Sequence, residues 1–396
     1  MRSKLIYIGL SYSIQVLNVI LNLIFMQRLP MSILGDLAIA KVWLQTFDYT
    51  HLGSRFALDR FLPVTKRSEQ RQLYLWITLA TVFSGSLLVI FFSMIIEKVN
   101  YVVLSFCLVG MSLAIGNVIK AYFRATSDIK SVNNIVMRLY CLPLAISVGV
   151  ATFDYEIFLL VYPISFIAAL VYFFITFSKN KRHFLLWSHR TRVFFRKMSS
   201  VSGLLFINSI IVYATLVIDR LFVDWTLGRD ALGQYSIVMF VFASLFTVPS
   251  ILTELIFPKI IRKVVHERSR LFLKEILFVS LATLLMILVV NAFMYLFVAN
   301  YTSHKNLLPL MQLASLAVLP YSVTSILSHV FNGLDYRLRL LKINALLLVC
   351  YFFVLSIISA HPALELFLYA KIAFSILTSI FLGVGLIMIK ELKKDD

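Results

Sequence analysis

Apolar runs of about twenty residues follow one another from one end of this chain to the other, and few charges interrupt them. About 20 such residues in a helix cross ~30 Å of hydrocarbon. Charged residues make up only 14% of the chain, against about a quarter in soluble domains. The sequence therefore reads as an all-α polytopic membrane protein.

Setting the runs against their breaks predicts twelve transmembrane helices, at 5–27, 33–54, 72–95, 101–123, 131–153, 155–177, 200–222, 231–256, 272–298, 307–331, 340–360 and 364–389. The second is the least hydrophobic and is included because the orientation count requires it. The 37 lysines and arginines fall unevenly between the gaps. With the N-terminus inside, 28 lie on the cytoplasmic side, 5 on the far side (Arg28, Lys98, Arg220, Arg229 and Lys305), and Lys41, Lys120, Arg138 and Lys371 within spans. The positive-inside rule then places both termini in the cytoplasm.

The largest loop, 178–199, separates six helices from six. The expected organisation is an N-lobe at 1–177, a basic cytoplasmic linker at 178–199 and a C-lobe at 200–396. Leu185, Leu186, Trp187, Phe194 and Phe195 interrupt the linker's cations, so it reads either as an amphipathic segment on the inner leaflet or as a solvated connection. Leu34-Gly35-Asp36-Leu37 and Gly233-Gln234-Tyr235-Ser236 each open the second helix of a half, as two repeated lobes would require.

Cys107, Cys141 and Cys350 lie inside apolar runs and imply no disulfide framework. Met1-Arg2-Ser3-Lys4 resembles the start of a signal peptide, but no small-residue cleavage site follows, so a retained first helix is expected. The net charge of +18 is explained by cytoplasmic loops beside anionic lipid rather than by nucleic acid. No metal-ligand spacing, nucleophile motif or phosphate loop is present, and neither cofactor nor metal is expected.

Polar groups inside a bilayer are costly, and their placement on helix faces is the most direct functional clue. At about 100° per residue, Ser11, Gln15, Asn18 and Asn22 share one face of the first helix, and Lys41, Gln45, Asp48 and Arg55 one face of the second. Asn208, Thr215 and Asp219 align on the seventh, with Arg220 adjacent, and Ser236, Thr247, Ser250 and Glu254 on the eighth. Such stripes on the opening pairs of both halves suit a water-filled cleft. The Ser, Thr and Asn positions equally suit interhelical hydrogen bonds that hold a bundle together. Lys41 and Asp48 need a partner or water, and two helical turns, about 10 Å, separate them, so Gln45 is the expected bridge. Arg138 and Lys371 fit either a cleft or snorkelling to the interface.

Arg28-Leu29-Pro30, Leu34-Gly35-Asp36-Leu37-Ala38, Phe47-Asp48-Tyr49-Thr50-His51-Leu52-Gly53-Ser54-Arg55-Phe56-Ala57 and Arg60-Phe61-Leu62-Pro63 resemble the amino-terminal signature of polysaccharide-biosynthesis flippases. These are the Wzx-type O-antigen transporters of the MOP (multidrug/oligosaccharidyl-lipid/polysaccharide) exporter superfamily. Ile218-Asp219-Arg220, Leu227-Gly228, Leu232-Gly233-Gln234-Tyr235-Ser236-Ile237 and Phe257-Pro258 are similar to its second-half pattern. The chain departs from the pattern at Thr50-His51-Leu52-Gly53, where an Asp-x-Gly-Leu order is commoner, and in lacking the two extra carboxy-terminal helices of some members.

The resemblance implies a MATE/lipid-flippase-like, V-shaped pair of six-helix lobes working by alternating access. The cargo would be an undecaprenyl-pyrophosphate-linked oligosaccharide, such as an O-antigen unit, in the bacterial inner membrane. Lys41, Arg55, Arg138, Arg220 and Lys371 would supply cations for pyrophosphate and acidic sugars in a cavity of low dielectric. Gln15, Asn18, Asn22, Gln45, Asn208 and Thr215 would bind sugar hydroxyls. Asp48, Asp219 and Glu254 would couple transport to H+ or Na+. Membrane lipid and the polysaccharide polymerase or other assembly proteins are the expected partners. A drug/cation antiporter of the same superfamily is the closest alternative. A polytopic polymerase or glycosyltransferase would need an extramembrane domain that the loops do not provide, so no enzyme is expected.

Overall fold

Helices form where the apolar runs are, and the short polar gaps supply their caps. The computed structural model describes residues 2–62, 65, 67–126, 128–178, 189–265, 273–301, 304–333 and 336–392. The first half contains α1 (Arg2–Arg28), α2 (Met31–Thr46), α3 (Ser54–Phe61), α4 (Ser68–Ile96), α5 (Tyr101–Ala125), α6 (Ile129–Ile135), α7 (Leu142–Ala151) and α8 (Tyr155–Ser178). The second contains α9 (His189–Leu227), α10 (Arg229–Val265), α11 (Leu273–Tyr301), α12 (Leu308–Leu316), α13 (Val318–Gly333), α14 (Arg337–Ile358) and α15 (Leu364–Leu392). Among the described residues there is no strand.

The caps follow from residue chemistry. The Asn100 side chain accepts from the Val102 and Val103 N–H groups at the start of α5. Asp154 accepts from Glu156 and Ile157 at the start of α8. Asp128 accepts from the Ser131 hydroxyl at 2.6 Å and its backbone N–H at 3.1 Å, and these bonds hold its carboxyl below the usual range.

Among the described residues, eleven helical segments are long and apolar enough to cross a membrane. Two of them are compound: α6 and α7 are joined through a π-helical turn at Val136–Cys141, and α12 runs into α13. They coincide with eleven of the twelve expected spans. The expected helix at 33–54 is interrupted instead. α2 stops at Thr46, a 3-10 turn follows at Phe47–Tyr49, and Leu52 and Gly53 take left-handed backbone conformations with φ of 45° and 84°. His51 builds the break. Its Nδ1 accepts the Gly53 N–H at 2.9 Å, and its carbonyl accepts both the Ser54 N–H and the Ser54 hydroxyl. Side chains and turn bonds here take over the backbone groups that a continuous helix would have paired.

The chain divides into two compact units, Met1–Phe25 with Asp36–Phe206, and Met26–Gly35 with Ile207–Asp396. Of the expected linker, residues 179–188 lie outside the described residues. In the first unit α5 is the buried element, packed against α4 and α8. Phe47 is buried beside Gly110 of α5, and the Thr50 carbonyl lies against Gly85 of α4. In the second unit α10 and α13 take the central place, with Ile326, Val330 and Phe331 in the core beside Leu382 of α15.

Large apolar side chains are also left exposed in rows, including Leu87, Phe91 and Ile95 on α4, Leu277, Leu281 and Leu288 on α11, and Val349, Phe353 and Ile357 on α14. Contiguous exposed apolar faces are not tolerated on a soluble surface. Hydrocarbon as the outer solvent accounts for them, and the chain is a multi-pass membrane protein.

Candidate functional site

Among the described residues, charged side chains within the helices enter two separate polar networks in the first unit and one in the second. In the first unit α1 and α2 meet through Lys41, whose ammonium donates to the Asn22 side-chain oxygen. The Asn22 amide donates in turn to the Asn18 carbonyl at 2.7 Å. The stripes of the first two helices therefore meet at Asn22 and Lys41. Gln15 is half-buried further along α1, and Gln45 is exposed.

Asp48, which is exposed on the turn after α2, accepts from the Asn117 amide of α5 at 2.9 Å. The Asn117 oxygen accepts from the Tyr140 hydroxyl at 2.8 Å. Tyr140 belongs to the π-helical turn, and its ring lies 5.2 Å from the Lys120 ammonium. A carboxylate partner on one side and a phenol on the other leave only one orientation for the Asn117 amide. Asp48 and Lys41 thus take separate asparagine partners, Asn117 and Asn22. Arg55 of α3 is half-buried and close enough for its charge to act on both His51 and Tyr140. Replacing Asn117 by Ala is expected to cost about 1–3 kcal/mol, because both neighbours lose their bond. Tyr140→Phe should cost about 1 kcal/mol. Thermal unfolding in detergent would compare the two.

Arg138 shares the π-helical turn with Tyr140, two residues before it, but points elsewhere. It is exposed, with its guanidinium 5.8 Å from the Tyr172 ring. This geometry is that of a side chain held along the helix surface by a cation–π contact.

The network of the second unit joins four of its helices. The Lys371 ammonium of α15 lies 3.1 Å from an Asp219 carboxylate oxygen of α9. It also donates to the Thr215 carbonyl at 3.0 Å and the Leu216 carbonyl at 3.3 Å. The Tyr235 hydroxyl of α10 donates to the same carboxylate at 2.7 Å, and the Tyr351 ring of α14 lies 5.7 Å from the ammonium. The side chains of Lys371 and Asp219 are 2% and 0% exposed, so Lys371 does not snorkel. An ammonium and a carboxylate so deeply buried persist only as a pair with further hydrogen bonds. Arg220, next along α9, has a buried Nε without a hydrogen-bond partner. About two turns before Thr215, Asn208 of α9 accepts from the Asn344 amide of α14 at 2.8 Å.

Among the expected site residues, the structure brings the side chains of Asn22 and Lys41 together in one unit and those of Asp219 and Lys371 in the other. Thr215 contributes its carbonyl there, while its hydroxyl donates to Val212. Asp48 joins residues not anticipated, and Asn208 pairs with one. The side chain of Glu254 lies outside the described residues. Sequence reading missed Asn117, Tyr140, Tyr235, Tyr351 and Asn344, and counted Lys120 only as an in-span cation. Tyr235 was within reach, since it follows Gly233 in a repeated motif. The described residues hold no group of three or more metal-ligating side chains.

By sequence the chain matches no family model and no curated protein. By fold it is similar to a multidrug resistance MATE family transporter of the MOP superfamily in an inward-facing conformation. The two superpose with a TM-score of 0.58 at 12% identity, over 96% of this chain and 99% of that one. The fold is that of MOP-superfamily transporters. The lipid II flippase MurJ in an inward closed conformation gives a TM-score of 0.63 at 13% identity, over 96% of this chain and 86% of that chain. A MATE protein in its straight conformation gives 0.56 at 12%, over 99% and 97%. At these identities the likeness is one of fold.

Proposed function

We propose that this chain is a flippase that moves an undecaprenyl-pyrophosphate-linked oligosaccharide, such as an O-antigen repeat unit, across the bacterial inner membrane by alternating access. The observation that carries this reading is a pair of cations within the first unit's helices, Lys41 against the Asn22 amide and Lys120 over the Tyr140 phenol that bonds Asn117. Cations in surroundings of low dielectric attract a pyrophosphate strongly, and amides and hydroxyls match sugar hydroxyls in both donor and acceptor roles. The motifs shared with polysaccharide flippases and the transporter fold support the same reading.

In this reading α2 with its 3-10 turn supplies a twelfth crossing, since 16 helical residues and three in the tighter turn reach about 30 Å. The cation bias then sets both termini in the cytoplasm. An antiporter would need acids free to exchange H+ or Na+, and the Asp219 carboxylate already holds a lysine. Polymerase and other assembly proteins would meet the cytoplasmic and far-side loops.

The test is surface polysaccharide in a strain that depends on this gene. Lys41→Ala and Lys120→Ala should each reduce surface polymer at least tenfold while the protein level in the membrane stays unchanged. Normal polymer in both variants, or drug sensitivity changing in place of polymer, would sink the proposal.

A further inference from the structure

The surroundings of the Lys371 ammonium are those of a cation-binding site rather than of an ordinary ion pair. Three oxygens converge on Nζ: one carboxylate oxygen of Asp219 at 3.1 Å and the carbonyls of Thr215 and Leu216 at 3.0 and 3.3 Å. The Tyr351 ring covers a further side with its centroid at 5.7 Å. A carboxylate together with main-chain carbonyls is the donor set that a hard alkali cation takes. The two carbonyls belong to the helix α9, where each oxygen keeps a second lone pair for a further donor. One formal negative charge meets one positive charge, so an alkali ion would replace the ammonium charge for charge. Tyr235 donates to the same carboxylate oxygen as the ammonium, and the Arg220 backbone N–H donates to the other, so the carboxylate is held whichever cation it meets. Tyr351 is itself held by stacking on Phe374, with centroids 4.4 Å apart.

We infer that the second unit contains a monovalent-cation site whose resident ion is the side chain of Lys371, tethered to α15 in place of a diffusible Na+. A tethered ion cannot dissociate into either compartment, so Asp219 does not couple transport to a Na+ gradient in the native protein. The same oxygens should accept Na+ once the ammonium is removed and its space left open. This inference concerns the second unit alone and does not depend on the cargo.

The experiment measures thermal unfolding of the purified full-length protein in detergent, in NaCl against choline chloride at equal ionic strength. The wild type should be indifferent to the choice of salt. Lys371→Ala should gain a saturable rise in unfolding temperature of about 2 °C or more between about 1 and 100 mM NaCl. Lys371→Met, which fills the space with an apolar chain, should show no such rise, and neither should Asp219→Asn combined with Lys371→Ala. Should Lys371→Ala fail to accumulate in choline, its recovery in NaCl would count as the same response. Three results would overturn the inference. The first is a folded Lys371→Ala protein that ignores Na+, as it would if Arg220 took over the carboxylate. The second is failure of that variant in both salts while the double variant accumulates normally. The third is a wild type stabilised by Na+ in a manner that Asp219→Asn abolishes.

Discussion

Lys371→Met is expected to cost about 3–5 kcal/mol of stability, because it leaves the Asp219 carboxylate buried without its counter-charge. The carboxylate is fully excluded from solvent, and its remaining bonds are those from the Tyr235 hydroxyl and the neighbouring Arg220 N–H. Those two donors do not compensate a full negative charge in an apolar interior. Methionine nearly conserves the volume of the lysine stem, so cavity formation contributes little. The loss therefore reports electrostatics. Adding Asp219→Asn should recover most of it, since an amide still accepts from Tyr235 and carries no charge. Unfolding midpoints for both single variants and the double variant complete a cycle whose interaction energy reads the pair directly. Equal stability of Lys371→Met and the double variant would show that the two side chains do not depend on each other.

Alanine at Gly35 or Gly233 should be the other severe change, at about 3 kcal/mol, the upper end of overpacking costs. The two glycines form a reciprocal crossing. A Cβ on Gly35 would press into the Arg229 carbonyl, and a Cβ on Gly233 would press into the Met31 carbonyl. Each carbonyl lies four residues before the opposing glycine, so the first turns of α2 and α10 meet backbone to backbone. Small residues permit this approach between helices in a membrane, and Cα–H groups can then point at carbonyl oxygens. A rotamer change cannot relieve the clash, because the obstructing atoms are main chain. Gly9 and Gly149 provide the contrast, with nothing within 4 Å of an added Cβ. Alanine at those helical positions should be neutral or stabilising by about 0.5–1 kcal/mol. Similar midpoints for all four variants would remove the crossing as a structural determinant.

Most spans were legible in the sequence because the length of an apolar run translates directly into a crossing distance. The exception, 33–54, shows what hydropathy omits. The break at His51-Leu52-Gly53 is made by one imidazole nitrogen and two left-handed residues, none of which alters the average polarity. Helical periodicity put Asn22 and Lys41 on faces that meet, but the end of α2 at Thr46 takes Asp48 and Arg55 off the expected stripe. Periodicity does not say which faces meet. Asp219 and Lys371 were each singled out on separate helices, yet their pairing across 152 residues requires α9 and α15 to pack at one level. Asn117 and Tyr140 escaped notice because a lone amide and a phenol in long apolar helices read as ordinary content. Their role appears only when Asp48 is placed beside them.

Residues Met26–Gly35 leave the compact unit that holds the rest of α1 and α2 and pack with the other one, through Arg229, Gly233 and the His304 ring against the Met26 carbonyl. The order of synthesis gives this exchange a consequence. The ribosome adds about 5–20 residues per second, and nearly two hundred residues separate Gly35 from Arg229. The first hairpin therefore waits about ten seconds or longer for the surface it belongs to. During that interval the backbone at Met31 and Gly35 has only lipid or the insertion machinery as neighbours. A chain truncated before residue 229 lacks that surface and is expected to be degraded faster than the full-length protein in a pulse-chase measurement.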